Sequence, residues 1–179
     1  MNKKNIVLGI TGGIACYKSA ELASRLIKLN YNLDVIMTKN SCEFITPLTF
    51  QTITQNKVHT DMFEKIHTLD IEHISIAKKA DIFVIVPATA NFIGKISNGI
   101  CDDILTTTIM ATKSPVIIAP AMNTAMWENT ILQNNITKLK KSGYHFVEPA
   151  YGRLACGDTG KGKLADLELI IEKIISICK

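Results

Sequence analysis

A few side chains in this 179-residue sequence are of types that can do chemistry. His73 lies in LDIEHI (69–74). If Asp70 caps a helix there, His73 falls about three residues in, where the positive helix end would keep its imidazole neutral, as a base requires; the plainer alternative is a surface histidine. Cys156 lies in a glycine-flanked loop, where a thiol can reach a ligand, whereas Cys16, Cys42, Cys101 and Cys178 read as small buried or incidental residues. Asn91 in PATAN (87–91) and Asn123 in PAMN (120–123) each follow a strongly apolar run. Small residues beside them leave room for a flat ring, and the amides can orient its polar edges. Either Asn could instead close a turn or cap a helix. Gly12 and Gly13 let backbone approach a ligand just before a helix, whose free N–H groups attract anions, although the G-x-G-x-x-G spacing is missing. Where a dinucleotide site would favour Asp or Glu for the adenine ribose, this chain has Thr38 and Asn40. A hydroxyl and an amide suit phosphate, so a mononucleotide such as FMN fits better than NAD.

These groups need elements to position them. Asn5–Ile10 and Leu33–Met37 read as strands, with an amphipathic helix over Ile14–Leu29 between them. Ile82–Val86 and Val116–Ala119 are continuous apolar runs closed by Pro87 and Pro120, as in strands buried on both faces of a parallel sheet. Helices are expected over Ile71–Lys79, Asp102–Ala111, Thr130–Lys141 and Asp166–Ile177, and a last strand over Tyr144–Val147. Strands spaced by helices predict an α/β, doubly wound, Rossmann- or flavodoxin-like three-layer sandwich with a mostly parallel sheet, as one domain over 1–179. Ligands in such folds bind beyond the carboxyl ends of the strands, where Thr11–Ala15, Met37–Asn40, Pro87–Asn91 and Pro120–Met126 converge. Glu148–Leu164 holds four of the ten glycines and fits no regular element; it reads as a lid or a disordered insert.

Composition narrows the function classes. Hydrophobic residues make up 47% and charged residues 20%, enough for a substantial core. No apolar run approaches the roughly 20 residues of a membrane span, and the N-terminal run, broken by Thr11–Gly13, reads as a strand and not a signal peptide. The net charge of +4 comes from scattered lysines with only Arg25 and Arg153 as arginines, which suits a solvated surface better than a nucleic-acid reader. Five cysteines without CxxC spacing argue against a disulfide framework or structural zinc and fit a reducing cytoplasm.

GITGGIACYKSAEL, FITPLTFQTIT, HTDMF, IEHISIA, PATANFIGKISNGICDDILTT, PAMNTAMW and ACGDTGKGK follow one another across nearly the whole chain. In this the chain resembles the homo-oligomeric flavin-containing cysteine decarboxylases, PAMNTAMW being the most specific match. The resemblance implies bound FMN near a subunit interface, in a trimer or a dodecamer built of trimers. It also implies decarboxylation of 4'-phosphopantothenoylcysteine to 4'-phosphopantetheine in coenzyme A biosynthesis, with a separate phosphopantothenate–cysteine ligase upstream. On the family pattern Gly12, Gly13, Ile14 and Ala15 line the flavin and Thr38 takes its phosphate. Gln51, Ala88, Thr89, Asn91 and Thr106 complete the pocket, some from a neighbouring subunit. His73 corresponds to the base, and Ala121, Met122 and Asn123 to the substrate-binding turn, with Asn123 on the carboxylate. Cys156 corresponds to the proton-donating thiol. Lys163 stands where the family has Arg, which keeps the charge but loses the bidentate fork.

The implied chemistry has a physical logic. A cysteine amide has no electron sink for direct loss of CO2. Oxidation at the carbon bearing sulfur gives a thioaldehyde, from which CO2 can leave to an enethiolate, and a returned hydride with a proton then gives the saturated thiol. Same-fold alternatives are a peptidyl-cysteine oxidative decarboxylase, which stops at the enethiol, and a flavin prenyltransferase.

Overall fold

The computed structural model of the chain describes residues 3–63 and 72–178. Its centre is a parallel sheet of β1 (Asn5–Ile10), β2 (Asn32–Met37), β3 (Val58–His59), β4 (Ile82–Ala88), β5 (Val116–Pro120) and β6 (His145–Phe146) in the order β3-β2-β1-β4-β5-β6. Every described ladder of this sheet is parallel. Of the four inner strands, β1, β4 and β5 carry apolar runs and are almost wholly buried, as such runs require when helices cover both faces. One face packs on α1 (Tyr17–Lys28), α2 (Pro47–Thr54) and α8 (Leu167–Cys178), through Leu22, Leu26, Phe50, Ile170 and Ile174. The other packs on α3 (Glu72–Lys79), α4 (Ala90–Ser97), α5 (Ile104–Ala111) and α7 (Thr130–Lys141), through Ile76, Phe92, Leu105 and Ile136. The expected three-layer, doubly wound architecture is therefore what the chain adopts, and the strand order reverses between β1 and β4.

Several boundaries differ from expectation. The first helix opens as a 3-10 turn at Ile14–Cys16 before α1. The helix expected from Asp102 starts at Ile104, because Asp103 is extended and caps it: its carboxylate accepts Thr106 N–H at 2.8 Å. The last strand shortens to two residues at the sheet edge. Four elements were not anticipated: α2, with Pro47 in its first turn, the edge strand β3, α4, and the short helix α6 (Thr124–Glu128). The expected start of α3 at Ile71 and its Asp70 cap lie outside the described residues.

The largest correction concerns Glu148–Leu164. Instead of irregular loop, it forms an antiparallel hairpin of β7 (Ala150–Arg153) and β8 (Thr159–Lys163), apart from the main sheet. Glycines obscured its pattern, yet on β8 Gly160 and Gly162 are the buried positions, alternating with exposed Thr159, Lys161 and Lys163. The alternation of a strand is present with glycine on the inner face.

Candidate active site

The floor of the site is built where the sheet order reverses. Thr11, nearly fully buried, donates from Oγ1 to the Pro87 carbonyl at 2.8 Å and accepts Thr89 N–H at 3.0 Å, joining the ends of β1 and β4. Thr89 then caps α4, accepting Phe92 N–H at 3.3 Å. Gly12 is required for a second junction: a Cβ there would lie 2.5 Å from Asn40 Cβ, so only glycine allows the β1 turn to touch the turn after β2. Beside that junction Thr38 Oγ1 is buried, and no described residue hydrogen-bonds to it.

One wall is the turn after β5. Asn123 is the N-cap of α6, accepting Ala125 N–H at 2.8 Å through its side-chain oxygen. That bond fixes the amide orientation and turns the NH2 group away from the helix. The opposite wall is the β7–β8 hairpin. Met122 N–H donates to the Gly162 carbonyl at 2.9 Å. Gly162, at φ +143°, packs so close that a Cβ would stand 2.2 Å from the Met122 oxygen. Lys161 Nζ lies 5.5 Å from the centre of the Trp127 ring and 3.4 Å from Glu148, holding the base of the hairpin to α6. At the tip, Asn123 Nδ2 donates to Cys156 Sγ at 3.4 Å, and Cys156 Sγ donates to Asp158 Oδ2 at 3.3 Å.

Between these walls lies a cleft of about 700 Å³. Ten of the expected site residues line it: Gly12, Gly13, Ile14, Ala15, Thr89, Ala121, Met122, Asn123, Cys156 and Lys163. Six do not. Thr38 lies half-buried past β2 with its Oγ1 covered, and Ala88 is enclosed within β4. Asn91 is exposed in the first turn of α4. Thr106 is buried, and its hydroxyl is spent on Asp103 in a capping box, so the structure gives it a helix-starting task. Gln51 lines a different pocket, of about 670 Å³, between α2 and β3. His73 is half-buried on α3, which packs beside α5, and is absent from the cleft lining.

Met126, the end of the expected Pro120–Met126 segment, also lines the cleft, but sequence reasoning missed other lining residues, among them Tyr17, Lys18 and Arg153. A helix pattern was visible at Tyr17 and Lys18, but their direction depends on the 3-10 turn before α1. Arg153 needed the hairpin. Ile14, Tyr17 and Met126 are each about half exposed or more, giving the cleft an apolar rim. His59, which had no expected role, is nearly buried and meets Glu72 at 2.8 Å, as does Lys57. Partial burial works against ionisation of Glu72, but hydrogen bonds from Lys57 and His59 outweigh it and hold the carboxyl below its ordinary range.

The residues present fit a flavin mononucleotide in kind. The Gly-Gly turn and the apolar rim leave space for a flat ring system, and the unpartnered buried hydroxyl of Thr38 is suited to a phosphate oxygen. The described residues contain no grouping of metal-ligating side chains. No helix among them is long and apolar enough to cross a membrane.

A family model described as Flavoprotein matches residues 1–179. The chain is 46% identical over 172 residues to the coenzyme A biosynthesis bifunctional protein CoaBC of Bacillus subtilis, covering 96% of this chain and 42% of that protein. It thus spans less than half the length of that bifunctional relative. It is 44% identical over 173 residues to a probable phosphopantothenoylcysteine decarboxylase of Streptococcus mutans, covering 96% of this chain and 97% of that one. Among solved structures, a cysteine-to-serine mutant of PPC decarboxylase complexed with pantothenoylaminoethenethiol superposes with a TM-score of 0.88 at 30% identity, over 98% of both chains.

Proposed function

Because the chain belongs to the flavoprotein family, we propose that it is an FMN-dependent decarboxylase acting on 4'-phosphopantothenoylcysteine to give 4'-phosphopantetheine, in the synthesis of coenzyme A. Residues 1–179 would form a single flavin-binding decarboxylase domain working in a reducing, cytoplasmic setting. The names of the relatives in Bacillus subtilis and Streptococcus mutans support this reading. The observation that carries it is the contact of Asn123 with Cys156 across the cleft, which puts a group able to read a carboxylate beside a group able to deliver a proton.

Bound flavin supplies a two-electron oxidation of the carbon bearing sulfur and later returns the same electrons. The chain would hold it by the Gly12–Ala15 turn and Thr89, with Thr38 on its phosphate. Asn123, with one amide N–H on Cys156, has a second N–H for the substrate carboxylate, and would hold it until the thioaldehyde stage allows CO2 to leave. Met122 and Ala121 shape the wall beside it, and Lys163 offers a cation at the opposite side. Cys156 would protonate the enethiolate from the hairpin tip, and the hairpin keeps water off the reacting carbon. His73 is the base of the oxidative half in this reading. Since His73 lies off its own chain's cleft, it would serve a cleft of a neighbouring subunit in a homo-oligomer, and Gln51 would act likewise.

The test is anaerobic mixing of the purified protein with 4'-phosphopantothenoylcysteine, following CO2, flavin absorbance and thiol products together. The expected outcome is transient bleaching and one CO2 per saturated thiol. Absence of CO2 overturns the proposal, and an enethiol as the end product would favour the peptidyl-cysteine type of enzyme.

A further inference from the structure

The hairpin tip carries an acidic residue that the reaction outlined above leaves unused. Asp158 Oδ2 accepts the Cys156 thiol hydrogen at 3.3 Å. Its position is set by a closed turn: Leu154 N–H donates to the Asp158 carbonyl at 2.8 Å, and Gly157 N–H to the Leu154 carbonyl at 3.0 Å. Gly157 makes the turn possible at φ +94°, a conformation an L side chain adopts only under strain. Among the described residues no cation pairs with Asp158, so its one side-chain partner is the sulfur.

We propose that Asp158 is the positioning residue for Cys156: the Asp158–Cys156–Asn123 chain of hydrogen bonds fixes where the thiol stands over the cleft. The carboxylate oxygen accepts from the sulfur, whereas the Asn123 amide donates to it. The free thiol rotor has several staggered positions. Two hydrogen bonds of opposite sense, one received from Asn123 and one given to Asp158, select one of them. Two residues apart on a closed glycine turn, the thiol and the carboxylate are held in this relation by the turn itself.

The inference rests on the decarboxylase reading, and its test separates the two. The wild type, Asp158→Ala and Asp158→Glu holoenzymes are given 4'-phosphopantothenoylcysteine, and the ratio of enethiol to saturated thiol is measured per CO2 released. Absence of CO2 from the wild type sinks the decarboxylase reading itself. With CO2 present, Asp158→Ala, which removes the acceptor, is expected to raise the ratio at least tenfold and Asp158→Glu to restore it to within about threefold of the wild type. A ratio that Asp158→Ala leaves where it was, or that Asp158→Glu raises as far as Asp158→Ala does, overturns the proposal.

Discussion

Asn123 Nδ2 stands 3.4 Å from Cys156 Sγ, although the two residues are 33 positions apart and belong to separate substructures. The contact depends on two anchors. The capping bond to Ala125 N–H commits the Asn123 oxygen to α6, leaving the NH2 group to face the cleft. The docking of β8 on the Met122 carbonyl and Trp127 ring brings the hairpin tip to it. One side chain thus caps α6 through its oxygen and donates into the cleft through its nitrogen.

That division predicts the behaviour of Asn123→Asp. An aspartate caps a helix as well as an asparagine does, so α6 and the fold should persist, with a melting temperature within a few degrees of the wild type. The end facing the cleft changes from donor to anion. It can no longer donate to Cys156, and it repels a carboxylate. Loss of a donor to a charged group, with repulsion added, corresponds to a fall in kcat/KM of about a hundredfold or more. Flavin content, read from the visible spectrum, should stay near that of the wild type. Turnover within threefold of the wild type would remove Asn123 from the carboxylate.

How far the site was legible in the sequence follows from which interactions are local. PAMN and PATAN stand at the ends of buried apolar strands, so their convergence on one cleft followed from the doubly wound topology. Thr106 lies off its own chain's cleft, where its hydroxyl bonds Asp103, three residues before it, to start α5. The hairpin was hidden because its inner face is glycine, so the period of two had no apolar residues to mark it. His73 and Gln51 stayed unplaced for another reason: intrachain topology puts one on α3 and the other on α2, away from the cleft.

Thr38 supplies a prediction in which two effects have opposite signs. A buried hydroxyl with no partner costs about 1–3 kcal/mol, whereas valine is nearly isosteric and carries no such cost. Thr38→Val should therefore stabilise the flavin-free protein by roughly 1 kcal/mol, seen as a small rise in denaturation midpoint. It should at the same time weaken FMN binding about tenfold, equivalent to about 1.4 kcal/mol. Riboflavin, which lacks the phosphate, should bind both proteins alike. If FMN affinity is unchanged, or riboflavin loses as much as FMN, the hydroxyl does not serve the phosphate.

Gly162 tests the docking of the hairpin without touching a reactive group. Its φ of +143° disfavours any L side chain, and an alanine Cβ would sit 2.2 Å from the Met122 oxygen. Relief requires β8 to lift away from the turn after β5, which breaks the Met122 N–H bond to the Gly162 carbonyl. The local cost is on the order of 1–3 kcal/mol, enough to open the hairpin while the sheet core stays intact. Limited proteolysis reads this directly: Gly162→Ala should be cut within 150–163 at least several-fold faster than the wild type, with the main domain left resistant. Equal protection of that segment in both proteins would show that the close approach at Met122 is not what holds the hairpin over the cleft.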